Sequence, residues 1–447
     1  MNLEDLASQV IDLAKSQGAT AAECTISEGD QFSVGVRLGE VETLTEAGSR
    51  GAGVRVMIGR HTGSAYTSDL SRDGIQHMVR SALDLAKITT EDPHAGLPDA
   101  SDLGRVTEDL ELYSESVPAL PASTKIEWAK QAEAAALSFD PRITNSEGGS
   151  CDSHTGQTVF ANSLGFLGSY RTSSCSISAV PVAKHNGSME RDFWFSIARD
   201  AEGLESPESV GQTAAKRALR RLGARKIATQ KAPIVFDPRT ARSLLDNIFD
   251  AISGDSVYRG ETFLAGKLGQ KVATDKLTVI DDATIPKLFG SSPFDDEGVP
   301  SRRTVVIEDG VLQSWLLNSY TARKLGMRTT GNASRGITGN AGVGHGNFYI
   351  PNGAVASEDI LRSLKTGFYV TELIGFGVNV VTGDYSRGAA GLWIENGEIA
   401  YPVSEVTIAS TLQEMLSNIE AIGSDLEFRG SLASPTLLIS EMTISGQ

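Results

Sequence analysis

The chain has 447 residues, 40% of them hydrophobic and 21% charged, with a formal net charge of −16. This length predicts two to three domains of ordinary globular composition. The negative field disfavours broad binding to nucleic acid or to an anionic membrane. No stretch approaches 18 consecutive apolar residues, so no membrane-spanning helix is expected. The three cysteines, Cys24, Cys151 and Cys175, form no disulfide framework and fit a reducing cytosol. Acids at Glu4 and Asp5 and the lack of an apolar run argue against a signal peptide. A cytoplasmic location is expected.

Residues 3–17 place Leu3, Leu6, Ala7, Val10, Ile11 and Ala14 on one helical face, with Asn2 able to cap the helix and Gly18 to end it. Short strand-like runs follow from about 22 to 67, with a turn at Gly59, and a second helix covers about 71–88. The segment Glu91–Glu115 holds eight acids against Arg105 and reads as a linker or exposed connection. A helix is expected near Thr124, with Glu127 completing a capping box. Residues 142–200, rich in Ser, Thr and Gly, predict antiparallel strands. Ser206-Pro207 opens another helix that Gly223 closes. Residues 216–231 hold seven bases and no acid, which reads as a cationic helix C-terminus followed by a linker. The remainder is mostly β, with hairpin turns at Asp309-Gly310 and Asn396-Gly397. Helices interrupt it near 238–253, 357–366 and 410–422. The fold class is therefore α+β: an N-terminal α+β domain (1–112), a mixed middle region (113–228) and a large, mainly antiparallel β-rich C-terminal domain (229–447).

Few residues carry recognisable chemistry. The histidines are His61, His77, His94, His154, His185 and His345, too far apart for two imidazoles on one helix face. Cys151-x-x-His154 with Cys175 and His185 is a partial zinc set; buried or surface residues in strands explain it as well. No Gly-x-Ser-x-Gly elbow occurs. The glycine-rich stretch Gly331–Gly346 lacks a phosphate-loop ending and reads as tight turns or as a loop able to approach a peptide closely. Asp246 and Asp250 lie one turn apart on the 238–253 helix, the pattern of a solvated face. Asp295-Asp296-Glu297-Gly298 reads as an acidic turn with weak potential for a hard cation.

Several motifs then add up in order. Gly51–Val56, Asp296–Pro300, Val305–Leu312, Ala322–Met327, Thr330–Asn332, Pro435–Ile439 and Met442–Ile444 together resemble the TldD/PmbA peptidase family. The resemblance covers essentially the whole chain and is nearest the PmbA (TldE) branch. It implies a cytoplasmic zinc peptidase context. TldD-like members carry His-Glu-x-x-x-His on a helix, followed by Gly-Asp and Arg-Gly; two imidazoles hold zinc and the Glu activates its water. Here the trailing anchors are Gly254-Asp255 and Arg259-Gly260. Counting back from Asp255 places Leu245, Asp246 and Asp250 at the His, Glu and His positions. The family's further cysteine ligand would fall near Phe428–Ser431, and no cysteine follows Cys175.

The expectation is a PmbA/TldE-like subunit with no catalytic residue and no metal of its own. It would pair with a TldD-like zinc peptidase subunit to process unfolded or leader peptides. A self-associating peptide-binding or scaffold protein, homodimeric in isolation, is the alternative. Hydrolysis by Asp246 and Asp250, or by the Asp295–Glu297 cluster, is a third reading. Nucleic-acid contact has only the basic run at 216–231 to support it.

Overall fold

The computed structural model describes residues 2–446; Met1 and Gln447, included in the expected domain bounds, lie outside them. The chain folds as an α+β protein whose described residues form two seven-stranded sheets, one five-stranded sheet and one two-stranded sheet.

The first sheet has seven strands: β1 (Ala21–Arg37), β2 (Glu40–Ile58), β3 (His61–Thr67), β4 (Ile143–Asn162), β5 (Leu167–His185), β6 (Ser188–Arg191) and β7 (Trp194–Ala198). Of the short runs expected over 22–67, β1 and β2 are in fact strands of 17 and 19 residues, while β3 has 7. Strands β1 and β4 pair from Glu23 opposite Asn162 to Val36 opposite Gly149. The strands of residues 1–112 and those of 113–228 thus share one continuous sheet. Helices α1 (Leu3–Ser16) and α2 (Arg72–Ala86) bury their apolar stripes against Cys24, Ile26, Val54 and Val56 at one end. Helices α3 (Ala122–Ser138) and α4 (Pro207–Leu219) cover Phe32, Val34, Cys151 and Ile177 at the other. Alternation along the strands sends one face to these helices and leaves the other free to meet the C-terminal region.

Local chemistry explains most boundaries. The Asn2 side chain accepts from Glu4 N–H and caps α1, as expected. Asp309 and Asn396 adopt positive φ beside Gly310 and Gly397, giving the two tight hairpins. Two expectations fail. Helix α3 starts at Ala122 behind Pro121, with no side-chain cap, so Thr124 and Glu127 lie inside it. The 410–422 helix is only Leu412–Ser417, capped by a Thr411–Glu414 capping box, and Ile419–Ile422 is a strand paired with 437–439. Both elements point apolar residues into one core, so the stripe reads as a longer helix.

In the C-terminal region, strands at 230–236, 366–374, 384–395, 398–411 and 437–445 close into a barrel, because 366–374 pairs with both 230–236 and 384–395. A five-stranded sheet (279–282, 303–308, 311–312, 347–349, 432–433) lies beside it. The 91–115 segment is no free linker. Arg323 donates to the carbonyls of His94, Leu97 and Gly96 at 2.7, 3.0 and 3.1 Å, and Val106 N–H donates to Pro293 O.

The glycine-rich loop 331–346 docks onto the free face of the first sheet. Ile337 lies across Gly51 and Gly53, and a Cβ built on Gly53 would stand 1.6 Å from the Ile337 carbonyl oxygen. Gly53 is therefore required by backbone-to-backbone approach. Gly53→Ala is expected to lower stability by about 1–3 kcal/mol in urea unfolding. Gly48→Ala, whose Cβ meets only the Asp30 carboxylate tip at 3.2 Å, should stay within about 0.5 kcal/mol. Equal effects of the two would contradict this packing.

Candidate functional site

The helix singled out by its motif is α5 (Pro238–Ile252). Asp237 caps it by accepting from Thr240 N–H at 2.8 Å, and Pro238 occupies the first turn, where its missing N–H costs nothing. Leu244, Leu245, Ile248 and Ile252 face the core, and Leu245 is 0% exposed. Asp246 and Asp250 lie on the outward face. The anchors that follow have physical causes. Helix α6 (Gly254–Arg259) packs against α7 (Ser319–Leu325) so closely that a Cβ on Gly254 would meet Thr321 Oγ1 at 2.4 Å. Gly260 ends α6 with φ 70°.

Two distant segments reach this helix. His345 leaves the glycine-rich loop with its ring 4.8 Å, edge-on, from the Phe249 ring, and Phe348 lies 6.2 Å from Phe249. The strand Leu432–Ala433, directly after Phe428–Ser431, packs beside α5 and runs parallel to 347–349, with Phe348 N–H donating to Ser431 O at 2.8 Å. Helix α5 and the segment after Phe428–Ser431 therefore pack together.

The electrostatics follow from this packing. Partial burial raises the Asp246 carboxyl above its usual range, against the opposing pull of His345, Arg242 and Arg387. Partial burial and the neighbouring Asp246 charge raise Asp250. Among the described residues, no three His, Cys, Asp or Glu side chains converge as a metal-ligand set. His345 was not singled out in the sequence; its place in a glycine-rich run was the one available signal.

The other candidates resolve as follows. Strand alternation turns Cys151 into the core under α3 and α4, and Cys175 is buried on β5, while His154 is exposed. Burial pushes their thiols up to about 12 and about 11, away from the thiolate a metal needs. The acidic turn 295–297 is not solvent-facing. Asp295 accepts from the N–H groups of Glu297, Val299 and Ala333, Asp296 from Arg335 N–H and Glu297 from Ser319 N–H, all at 2.8–3.0 Å. These carboxylates fix the backbone, and their lone pairs are used there. The basic run is partly internal: the Arg217 and Arg221 side chains, 10% and 19% exposed, turn onto Asp192.

Burial and the facing Glu297 charge push Asp295 up to about 8, and burial raises Glu297 as well. The folded state then holds protons that the unfolded chain has released. Stability should therefore fall as pH rises from about 4 toward 8. Glu297→Gln, which removes one charge and keeps an acceptor for Ser319, is expected to flatten that decline in urea unfolding at pH 5, 6.5 and 8. Equal slopes for the two proteins would contradict the assignment.

Comparison with known proteins agrees with this geometry. Models of the PmbA/TldA metallopeptidase domain 1, central domain and C-terminal domain match residues 22–86, 115–222 and 229–446. The chain is 43% identical to the metalloprotease PmbA of Escherichia coli O157:H7 over 446 residues, covering 100% of this chain and 96% of that one. It is 39% identical to the PmbA homologue of Haemophilus influenzae, covering 99% and 96%. A Bacteroides thetaiotaomicron crystal structure, described as a candidate modulator of DNA gyrase, superposes with a TM-score of 0.93 at 27% identity, covering 99% of each chain. TldE of Thermococcus kodakarensis shares the fold, with a TM-score of 0.88 at 21% identity, covering 99% and 100%. No helix among the described residues is long and apolar enough to cross a membrane. The helix α5, its glycine anchors and the full-length match together place this chain in the PmbA/TldD metallopeptidase family.

Proposed function

We propose that the chain is the PmbA/TldE-like, non-catalytic subunit of a two-chain zinc metallopeptidase of the cytoplasm. A TldD-like partner holds the zinc, and the pair cleaves unfolded or leader peptides. The observation that carries this reading is Leu245, an apolar side chain with 0% exposure, at the position where a first imidazole would stand. The residues present do not fit a family-type zinc. Leucine has no donor atom at the first His position, Asp246 stands at the Glu position, and Asp250 offers a carboxylate in place of the second imidazole. The position expected to hold cysteine falls within Phe428–Ser431. No hydrolytic step is therefore assigned to this chain.

Retention of the framework without its donors supports a role in assembly. The cap of α5, Gly254 and Gly260 all have structural causes independent of metal, so they persist in a subunit selected for shape. The free sheet face and the docked glycine-rich loop supply a wall for the peptide chamber.

The test is to mix the purified chain with a family member bearing His-Glu-x-x-x-His and follow cleavage of an unfolded peptide. The expected result is a stable complex, activity only in the mixture, and activity kept in Asp246→Asn/Asp250→Asn. Cleavage by the isolated chain would refute the proposal. Homodimers that ignore the partner would instead favour a peptide-binding scaffold.

A further inference from the structure

Strand β2 changes its neighbours partway along. From Ala52 to Ile58 it lies between β1 and β3. From Thr43 to Arg50 it pairs with β1 alone, and the lane that β3 fills further on stands open. Among the described residues, no backbone N–H or C=O of Thr43–Arg50 bonds anything outside β1. Every residue of the stretch is exposed. Thr67, the last residue of β3, closes the lane at one end, opposite Ala52. At the other end a bulge leaves Glu42 without a partner on β1 and bends the strand away. Between these limits the open edge is regular and roughly 25 Å long. An edge of this kind templates a further strand unless proline, lysine or a covering segment blocks it. Thr43–Arg50 holds neither residue.

The side chains beside the edge set what kind of strand fits. Pairing with Val34, Phe32, Asp30 and Glu28 places Leu44, Glu46, Gly48 and Arg50 on one face. A Cβ on Gly48 would stand 3.2 Å from Asp30 Oδ1, so the Asp30 carboxylate leans across the glycine beside the open lane. A cavity of about 460 Å³ opens over this spot, with Glu28, Asp30, Arg50 and Arg171 around it. Arg171 is held by Glu115 at 3.2 Å and lies over the Tyr113 ring at 3.5 Å. Glu28, Asp30 and Glu46 make no salt bridge among the described residues. The cations that face them are Arg50, at the Thr67 end, and Lys125, which is buried, donates to Ser153 Oγ at 2.7 Å and stands over the Phe32 ring. Exposed Glu40 and Glu42 continue the acidic rim past the bulge. The opposite face of the edge, Thr43, Thr45, Ala47 and Ser49, is uncharged.

We propose that the open edge of β2 takes an extended peptide as an additional strand, one with lysine or arginine at alternate positions. Its backbone pairs with Thr43–Arg50, and its cationic side chains meet Asp30 over Gly48 and Glu46 beside it. Backbone pairing gives affinity for any extended chain, and the carboxylates select the cationic ones. A second copy of this chain is the poorer occupant, because it brings Glu40, Glu42 and Glu46 to an edge that is already acidic. The choice of a substrate peptide rests on the proposed peptidase role and gives that role a substrate class. Direct binding to the full chain, with no partner and no activity readout, tests the edge separately, so failure here leaves the cleavage test standing.

The experiment is fluorescence anisotropy with three labelled octapeptides: alternating threonine and lysine, the same sequence with every amide N-methylated, and alternating threonine and glutamate. The expected result is saturable binding of the lysine peptide and at least tenfold weaker binding of the other two. Asp30→Asn/Glu46→Gln should weaken the lysine peptide at least tenfold, with thermal melting reporting the fold. Leu44 and Thr45 are neighbours, so one N–H points to β1 and the other to the open lane. Of Leu44→Pro and Thr45→Pro, the variant that melts like the parent carries its proline on the open side and should lose the peptide at least tenfold. If neither melts like the parent, the N-methylated peptide decides. Equal binding of that peptide, glutamate binding as tightly as lysine, no binding at millimolar peptide, or indifference to Asp30→Asn/Glu46→Gln would each overturn the proposal. A homodimer that falls apart in the open-side proline variant would also overturn it, by giving the edge to a second copy.

Discussion

The arrangement of this protein depends on one buried carboxylate. Glu23 on β1 is 0% exposed and sits between two guanidiniums, Arg55 on β2 and Arg335 from the glycine-rich loop. Burial alone would raise its carboxyl, but the charges of Arg335 and Arg55 outweigh burial and hold it below the usual range. A buried ion pair of this kind adds little net stability over an apolar contact, whereas removing one partner costs about 3–5 kcal/mol. Its value here is positional. Arg335 also donates to Thr25 and, through its backbone, to Asp296, and Arg55 reaches Asn340. The loop is thereby pinned to the sheet at both arms, with Ile337 seated on Gly51 and Gly53 between them.

That pin governs what surrounds α5. The loop leaves the sheet through Gly344 and Gly346, where Asp281 accepts from Gly346 N–H at 2.7 Å and from Asn332 Nδ2 at 2.7 Å. This closes the loop and delivers His345 to Phe249. The surface over Asp246 and Asp250 is thus built by residues nearly a hundred positions away. It is a well-supported surface.

Local signals in the sequence located the parts and missed their meeting. The helix at 238–253 and both Asx-Gly hairpins were legible, because each depends on residues within a few positions. The burial of Asp295–Glu297 was not, because the N–H groups they accept from include Ser319, Ala333 and Arg335. Four acidic or glycine residues in a row look the same whether solvent or a distant backbone takes their lone pairs. The basic run 216–231 closes α4 as expected, but the inward turn of Arg217 and Arg221 was not legible, because Asp192, which they meet, lies on a distant segment. The stripe through Ile422 failed differently, since a short helix followed by a strand can feed one core with the spacing of a longer helix.

The central claim is that this chain keeps the peptidase framework without its metal. Zinc content of the full chain, purified with zinc present and without chelators, addresses that claim most directly. The account predicts zinc far below one per chain, unchanged by Asp246→Asn/Asp250→Asn. One tightly held zinc per chain, lost on that double substitution, would contradict it.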